Sequence, residues 1–300
     1  MTLRAGATLG SAPEVLRALQ QPGGKLIHRA IPSSGEAIPV VGLHFGNPAP
    51  PDHAALREVL KTLIDNGGKF LDAVHQSAAA EEVTATIATE LGIQNKIFWS
   101  SRASPAGPPQ PGAAAAKAQM ESSLARFKVA KLDLVLMNPM ADPGHLAALK
   151  EMKKEGRVRY IGMQVIDDRQ YAGLEAVRRN EPLDFVGIDY SIGNRGAEQT
   201  ILPLARERKI AVVAYFPFDA GGLFQRVGTT PLPAWAADFD ARTWAQFFVK
   251  YVISHPAVTV VRTGTSQAKH MLDNIGGGSG RLPNEATRKR MAEVIDSWPQ

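Results

Sequence analysis

His44, Asp72, His75, Arg102, Asn138, Gln164, Asp189, Tyr190, Tyr215 and Arg262 each fall at or just after the end of a short apolar run, where polar chemistry is least expected from the run itself. Among them His75 is the natural acid or base, because imidazole titrates near neutral pH without help; a solvated loop histidine is the plain alternative. Asp72 and Arg102 read as an ion pair beside it, and Asn138 as a hydrogen-bond donor to a substrate oxygen. Two histidines and two carboxylates, His44, His75, Asp72 and Asp189, raise the idea of a Zn or Fe site. Only Asp72 and His75 are close in sequence, and hydrogen-bonded polar side chains account for the set equally well, so no metal is assigned. Ser77 has no Ser-His-Asp arrangement that spacing alone supports. Trp235 is placed at the mouth of the site, whereas Phe239, Trp244, Phe247 and Phe248 read as core.

These residues must be positioned by the apolar runs that precede them. The runs are 39–43, 69–72, 96–100, 132–137, 158–163, 184–189, 210–215 and 257–261, rich in β-branched and apolar residues without polar alternation. That pattern suits parallel strands buried on both faces. Between them lie amphipathic stretches at helical spacing, for example Leu56, Val59, Leu60 and Leu63. Eight βα units in about 250 residues predict a (β/α)₈ TIM barrel, in which the C-terminal strand ends carry the active site. No GxGxxG turn follows an early strand, which weighs against a dinucleotide-binding open sheet. KLIHRAI and EAIPVV flanking SSGE predict an N-terminal β-hairpin plugging the barrel bottom, and LPNEATRKRMAEVIDSW predicts an extra C-terminal helix. The segment from about Phe216 to Asp240 reads as the longest loop, of the kind that forms a lid or binding surface. Residues 1–24 form an N-terminal extension, disordered or helical, ahead of one domain over 25–300.

Composition narrows the partners. The 300 residues hold 34 Lys and Arg against 29 Asp and Glu, a net charge of +5, with the basic residues scattered rather than clustered. A nucleic-acid partner is therefore not expected. No stretch reaches the ~20 apolar residues needed to span a bilayer, so a soluble protein without a membrane partner is expected. The absence of cysteine excludes disulfides and thiolate chemistry and leaves the redox compartment open. Oligomeric state is not legible.

The blocks IPSSGEAIPVVGL, NGGKFLDA, KEGRVRYIGM, ILPLARERKIAVVAYFPF and SHPAVTVV followed by HMLDN resemble, in this order, the aldo-keto reductases, over about Lys25 to Met291. IPSSGE, EPLDFVGIDYSIG and GRLPNEATRKRM are similar to a bacterial subgroup whose members often carry export signals. The resemblance thus leaves cytoplasmic and periplasmic placement open, the latter with a leader removed. It also implies a catalytic Asp, Tyr, Lys and His. Here Asp72 matches, but Ser77, Arg102 and Asn138 stand where the Tyr, Lys and His belong. A serine hydroxyl is too weak an acid to replace a phenol, and arginine does not exchange a proton in this range. The family's nicotinamide partners appear as Gln164, Val165 and Gly187, with Tyr215 kept as the stacking aromatic. At the 2′-phosphate end the matching positions are Gly264, Thr265, His270 and Asn274, with Arg262 two residues ahead.

The resemblance therefore implies either no cofactor or weak NADP(H) binding, with Arg262, Thr265, His270 and Asn274 as the contacts that remain. The expected function is an enzyme of this fold with altered, non-redox chemistry on a small organic molecule at the barrel mouth. His75 is its acid or base, Asp72 and Arg102 its charged pair, and His44, Gln164, Asp189, Tyr190, Tyr215 and Trp235 its substrate contacts. An NADP-dependent oxidoreductase with a non-standard proton donor, and a catalytically silent small-molecule-binding protein, are the alternatives.

Overall fold

The computed structural model describes residues 24–45, 52–73, 78–103, 112–138, 142–165 and 182–298. The N-terminal extension over 1–24 thus lies, but for its last residue, outside the described residues.

Two short strands, β1 (His28–Ala30) and β2 (Ala37–Pro39), pair antiparallel as the expected hairpin. The following eight strands are β3 (Val41–His44), β4 (Phe70–Asp72), β5 (Phe98–Arg102), β6 (Leu132–Met137), β7 (Val158–Val165), β8 (Phe185–Asp189), β9 (Ala211–Tyr215) and β10 (Val258–Gly264). They run parallel in sequence order, and β10 pairs with β3 to close the barrel. Each predicted apolar run became one of these strands.

Alternation along the strands sorts the side chains into two cores. Phe70, Phe98, Leu134, Leu136, Tyr160, Phe185, Val213 and Val260 fill the barrel, together with Ile31 and Ile38 of the hairpin. Phe70 and Phe98 stack at 5.4 Å, and Phe98 and Tyr160 at 6.0 Å, so the lower barrel is an aromatic column. The neighbouring positions, such as Leu71, Trp99, Val135, Ile161 and Val212, point outward into the layer beneath the helices.

The helices are amphipathic, as a covering layer requires. Helix α1 (His53–Asp65) buries Leu56, Val59, Leu60 and Leu63, and its N-cap Asp52 accepts a hydrogen bond from the Ala55 amide at 3.0 Å. Then follow α2 (Ala78–Glu90), α3 (Ala113–Phe127), α4 (Pro143–Lys154), α5 (Ile201–Glu207), α6 (Gly222–Val227), α7 (Trp244–Ser254), α8 (Ala268–Gly277) and α9 (Glu285–Asp296). The last is the expected C-terminal helix, capped by Asn284 and burying Met291 and Ile295.

The hairpin closes the N-terminal end of the barrel by side-chain bonds. Tyr160 donates to Ser34 at 2.7 Å, and Glu36 pairs with Lys69 at 3.2 Å and with Arg159. Arg29 donates to the carbonyls of Ile253 (2.6 Å), His255 (2.8 Å) and Val258, which ties the hairpin to the end of α7. The segment after β9 differs from the expected open loop. It holds α6 and two 3-10 turns, Asp219–Gly221 and Ala234–Phe239, and it leaves β9 through Phe216 at φ +52°.

Candidate functional site

The inward phase of each strand, carried to its C-terminal end, brings up one residue per strand: His44, Asp72, Arg102, Asn138, Gln164, Asp189, Tyr215 and Arg262. With the hairpin at the opposite end, these strand ends form the open face of the barrel. His75 and Ser77 lie outside the described residues.

Asp72 is fully buried, and Arg262 donates to its Oδ2 through Nη1 at 2.8 Å. Ser100, on the adjacent strand, donates to Oδ1 at 3.4 Å, and a ring nitrogen of His44 lies 3.4 Å from the Asp72 carbonyl. Burial would raise the carboxyl's pKa. Arg262, Arg102 and His44 outweigh it and hold the group below its usual range, so Asp72 is an anion. The ion pair expected between Asp72 and Arg102 is therefore made with Arg262. The reason is register: Asp72 lies opposite Ser100, which leaves Arg102 one inward step further along β5, while Arg262 reaches Asp72 across β3, which both β4 and β10 flank.

Arg262 is held from above as well. Its guanidinium carbon lies 4.2 Å from the centre of the Tyr215 ring and 5.7 Å from that of Phe216. Arg262 is 7% exposed, so it is an interior residue and not a free cation at the cofactor's phosphate end, as its sequence position suggested.

Tyr215 points into the barrel and is fully buried. Its ring lies over Gly187: a Cβ built there would sit 2.3 Å from Cε2 and 2.8 Å from the hydroxyl. Burial, then the Asp72 charge, pushes the phenol pKa well up, and Arg102 and Arg262 offset this only in part. Tyr215, Arg102 and Asp72 thus form a phenol, cation and carboxylate group in which burial makes the phenol a weaker acid. Sequence reading missed this grouping because it set Tyr215 down as a stacking aromatic. The glycine at 187 was the available signal.

Four polar atoms near this group are buried without a hydrogen-bond partner: Arg102 Nε, Gln164 Oε1, the Tyr215 hydroxyl and Arg262 Nε, the last on a guanidinium already bonded to Asp72 through Nη1. Val165 points outward into the helix layer instead. Asn138 is exposed just past the end of β6, and Asp189 is half-buried with a partner of its own.

Tyr190 and Tyr215 are not companions. One residue beyond Asp189, Tyr190 has the outward phase and donates to Glu198 at 2.5 Å, while Arg288 donates to its hydroxyl at 2.8 Å. It is a structural residue and leaves the set of substrate contacts. Trp235 packs on Phe239 and Phe247 with Arg290 4.2 Å above its ring, on the α7–α9 side and not inside the mouth.

His270 and Asn274 line a cleft of about 340 Å³, whose walls include Phe218, Phe224, Trp244 and Asp273. Burial and Lys269 lower the His270 pKa, and Asp273 accepts from Thr243 at 2.9 Å and Gln246 at 2.8 Å. Thr265 accepts from the Gln267 amide at 3.1 Å at the entry to α8. Among the described residues, no group of three or more His, Asp or Glu is placed to hold a metal ion, and no helix is long and apolar enough to cross a membrane.

A closed parallel barrel with a bottom hairpin, a buried aspartate at the end of its second strand and a cleft beside its last strand define an aldo-keto-reductase architecture. The aldo/keto reductase family model matches residues 41–292, and the chain belongs to that family. It is 26% identical over 253 residues to methylglyoxal reductase YeaE of Escherichia coli K12, covering 82% of this chain and 84% of that one. Probable aldo-keto reductase 1 of Glycine max is 24% identical over 245 residues, 71% of this chain and 66% of that one. Among solved structures, an aldo-keto reductase from Klebsiella pneumoniae in complex with NADPH superposes with a TM-score of 0.74 at 23% identity, over 92% of this chain and 97% of that one. The holo form of AKR11C1 from Bacillus halodurans gives 0.74 at 19% identity, over 90% and 96%.

Proposed function

We propose that the protein acts on a small organic molecule at the barrel mouth by chemistry other than the family's hydride transfer. His75 serves as the acid or base, Asp72, Arg262 and Arg102 as the charged group beside it, and Asn138 as a donor to a substrate oxygen. The observation that carries this reading is Arg262, which fills the space over Tyr215 and is bonded to Asp72.

A nicotinamide ring does not fit these residues. The Tyr215 face on which it would stack is taken by a guanidinium, and the ring of Tyr215 occupies the space over Gly187. At the far end the described residues that line the cleft include the Asp273 carboxyl and a His270 biased toward its neutral form and no lysine or arginine, so with only the neighbouring Lys269 acting on His270 they supply little of the charge that a 2′-phosphate needs. Weak or absent NADP(H) binding follows.

An NADP-dependent oxidoreductase with a non-standard proton donor is the second reading. It is favoured by the aromatic-walled cleft that retains Asn274, and by the reductases among the relatives. A thermal-shift screen of metabolites, followed by turnover assays on the hits, separates the two. The first reading expects turnover without NADPH, a pH limb near neutrality, and loss of both in His75→Ala with an almost unchanged Tm. Efficient NADPH-dependent reduction of an aldehyde would overturn it.

A further inference from the structure

Resting on the reading that the mouth takes a small organic molecule, we infer that Arg102, Gln164 and Tyr215 form a subsite for a singly charged carboxylate. These residues come from β5, β7 and β9, and all three have the inward phase at the same end of the barrel. Gln164 lies opposite Gly187 in the β7–β8 register, and the Tyr215 ring lies over that same glycine. The guanidinium of Arg102 faces the Tyr215 hydroxyl closely enough to act on its titration. The three side chains therefore enter the same end of the barrel interior, around Tyr215.

Each of them leaves a polar atom buried and unbonded there. Gln164 is 9% exposed and Tyr215 fully buried, so water does not satisfy these atoms in bulk. A lone orphan of this kind is unusual in a native interior, and three at the same end of the barrel call for a common partner. The donor inventory says what that partner is. Arg102 offers Nε–H in a planar fork, Tyr215 keeps its proton and donates, and the Gln164 amide presents a donor or an acceptor according to its flip. Two oxygens in a plane meet a guanidinium fork and a phenol.

Charge sets the valence. Arg262 is neutralised by Asp72, Arg102 forms no ion pair among the described residues, and Asp189 has its own partner. Among the described residues of the group one cation is left over, which suits a monoanion. The nearby Asp72 opposes a dianion such as phosphate.

The test is calorimetric titration of the full chain with sodium acetate and sodium benzoate against acetamide and benzamide, at matched NaCl. The acids are expected to bind saturably and the amides not. Arg102→Gln should weaken acid binding by at least about tenfold and Tyr215→Phe by a smaller factor, since a charged hydrogen bond is lost in the first and a neutral donor in the second. If Arg102→Gln does not fold by circular dichroism, Gln164→Leu replaces it, with a several-fold weakening expected. No saturable acid binding, equal binding of acids and amides, or acid binding indifferent to these substitutions overturns the subsite. A parallel assay of NADPH oxidation with benzaldehyde keeps the two ideas apart. Acid binding at Arg102 together with efficient reduction removes the functional reading and leaves the subsite. Amide binding equal to acid binding without reduction does the reverse.

Discussion

Arg262 stacks on the Tyr215 ring at 4.2 Å while one of its nitrogens holds Asp72 at 2.8 Å. A guanidinium on an aromatic face gains from the ring quadrupole, most of all when desolvated, and this one is 7% exposed. Asp72, expected to pair with Arg102 on β5, is thus bonded to Arg262 on β10.

The energetic consequence is testable in Asp72→Asn. Removing one member of a buried pair strands the other charge, at about 3–5 kcal/mol, whereas Asp72→Asn with Arg262→Met removes both and should recover much of that loss. Urea unfolding of the two variants reads the difference. Because the folded carboxyl titrates below its ordinary value, the pair's contribution is complete above about pH 4 and is lost as pH falls further.

Gly187→Ala probes the space under Tyr215. The added methyl would lie 2.3 Å from the ring, whose full burial under Arg262 limits relief, so a loss of about 1–3 kcal/mol is expected. An unchanged denaturation midpoint would mean that the ring is free to move out of the barrel.

Restoring the family's tetrad by Ser77→Tyr, Arg102→Lys and Asn138→His should not make an efficient reductase. Hydride transfer needs the nicotinamide within about 3–3.5 Å of the carbonyl carbon, and in the reading proposed above Arg262 would still cover the Tyr215 face on which that ring would stack. Strong NADPH-dependent turnover of an aromatic aldehyde by the triple variant would contradict this.

The eight strands were legible because buried parallel strands are apolar throughout, and α1 because Leu56, Val59, Leu60 and Leu63 keep one face. Phase within the strands was legible too, but it had to be used: Asp189 and Tyr190 are adjacent, and only the first faces inward. The Asp72–Arg262 pair was not legible, since β4 and β10 become neighbours of β3 only when the barrel closes, 190 residues apart in the chain. Sequence cannot distinguish Arg102 from Arg262 as the partner without that closure. Nor does composition reveal that the segment after β9 folds into α6 and two 3-10 turns, because its Gly and Pro content reads as loop.

His255 gives a pH prediction away from the mouth. Burial, with Arg288 nearby, pushes its pKa down to about 4, and the Ala257 amide donates to its ring at 3.3 Å. The unfolded chain binds a proton near pH 6.5, so stability should rise with pH from about 4 to about 6.5 and fall on acidification through that window. His255→Gln should flatten this limb in denaturation midpoints measured across it. A limb of equal depth in the variant would assign it to other groups.

Calorimetric titration of the full chain with NADPH tests most directly whether Arg262 covers the Tyr215 face on which a bound nicotinamide would stack. With the stacking face covered and no lysine or arginine among the described residues that line the cleft, a Kd weaker than about 100 μM, or no measurable heat, is expected. Saturable binding below about 1 μM would contradict it, because that affinity requires the contacts that Arg262 and Tyr215 displace.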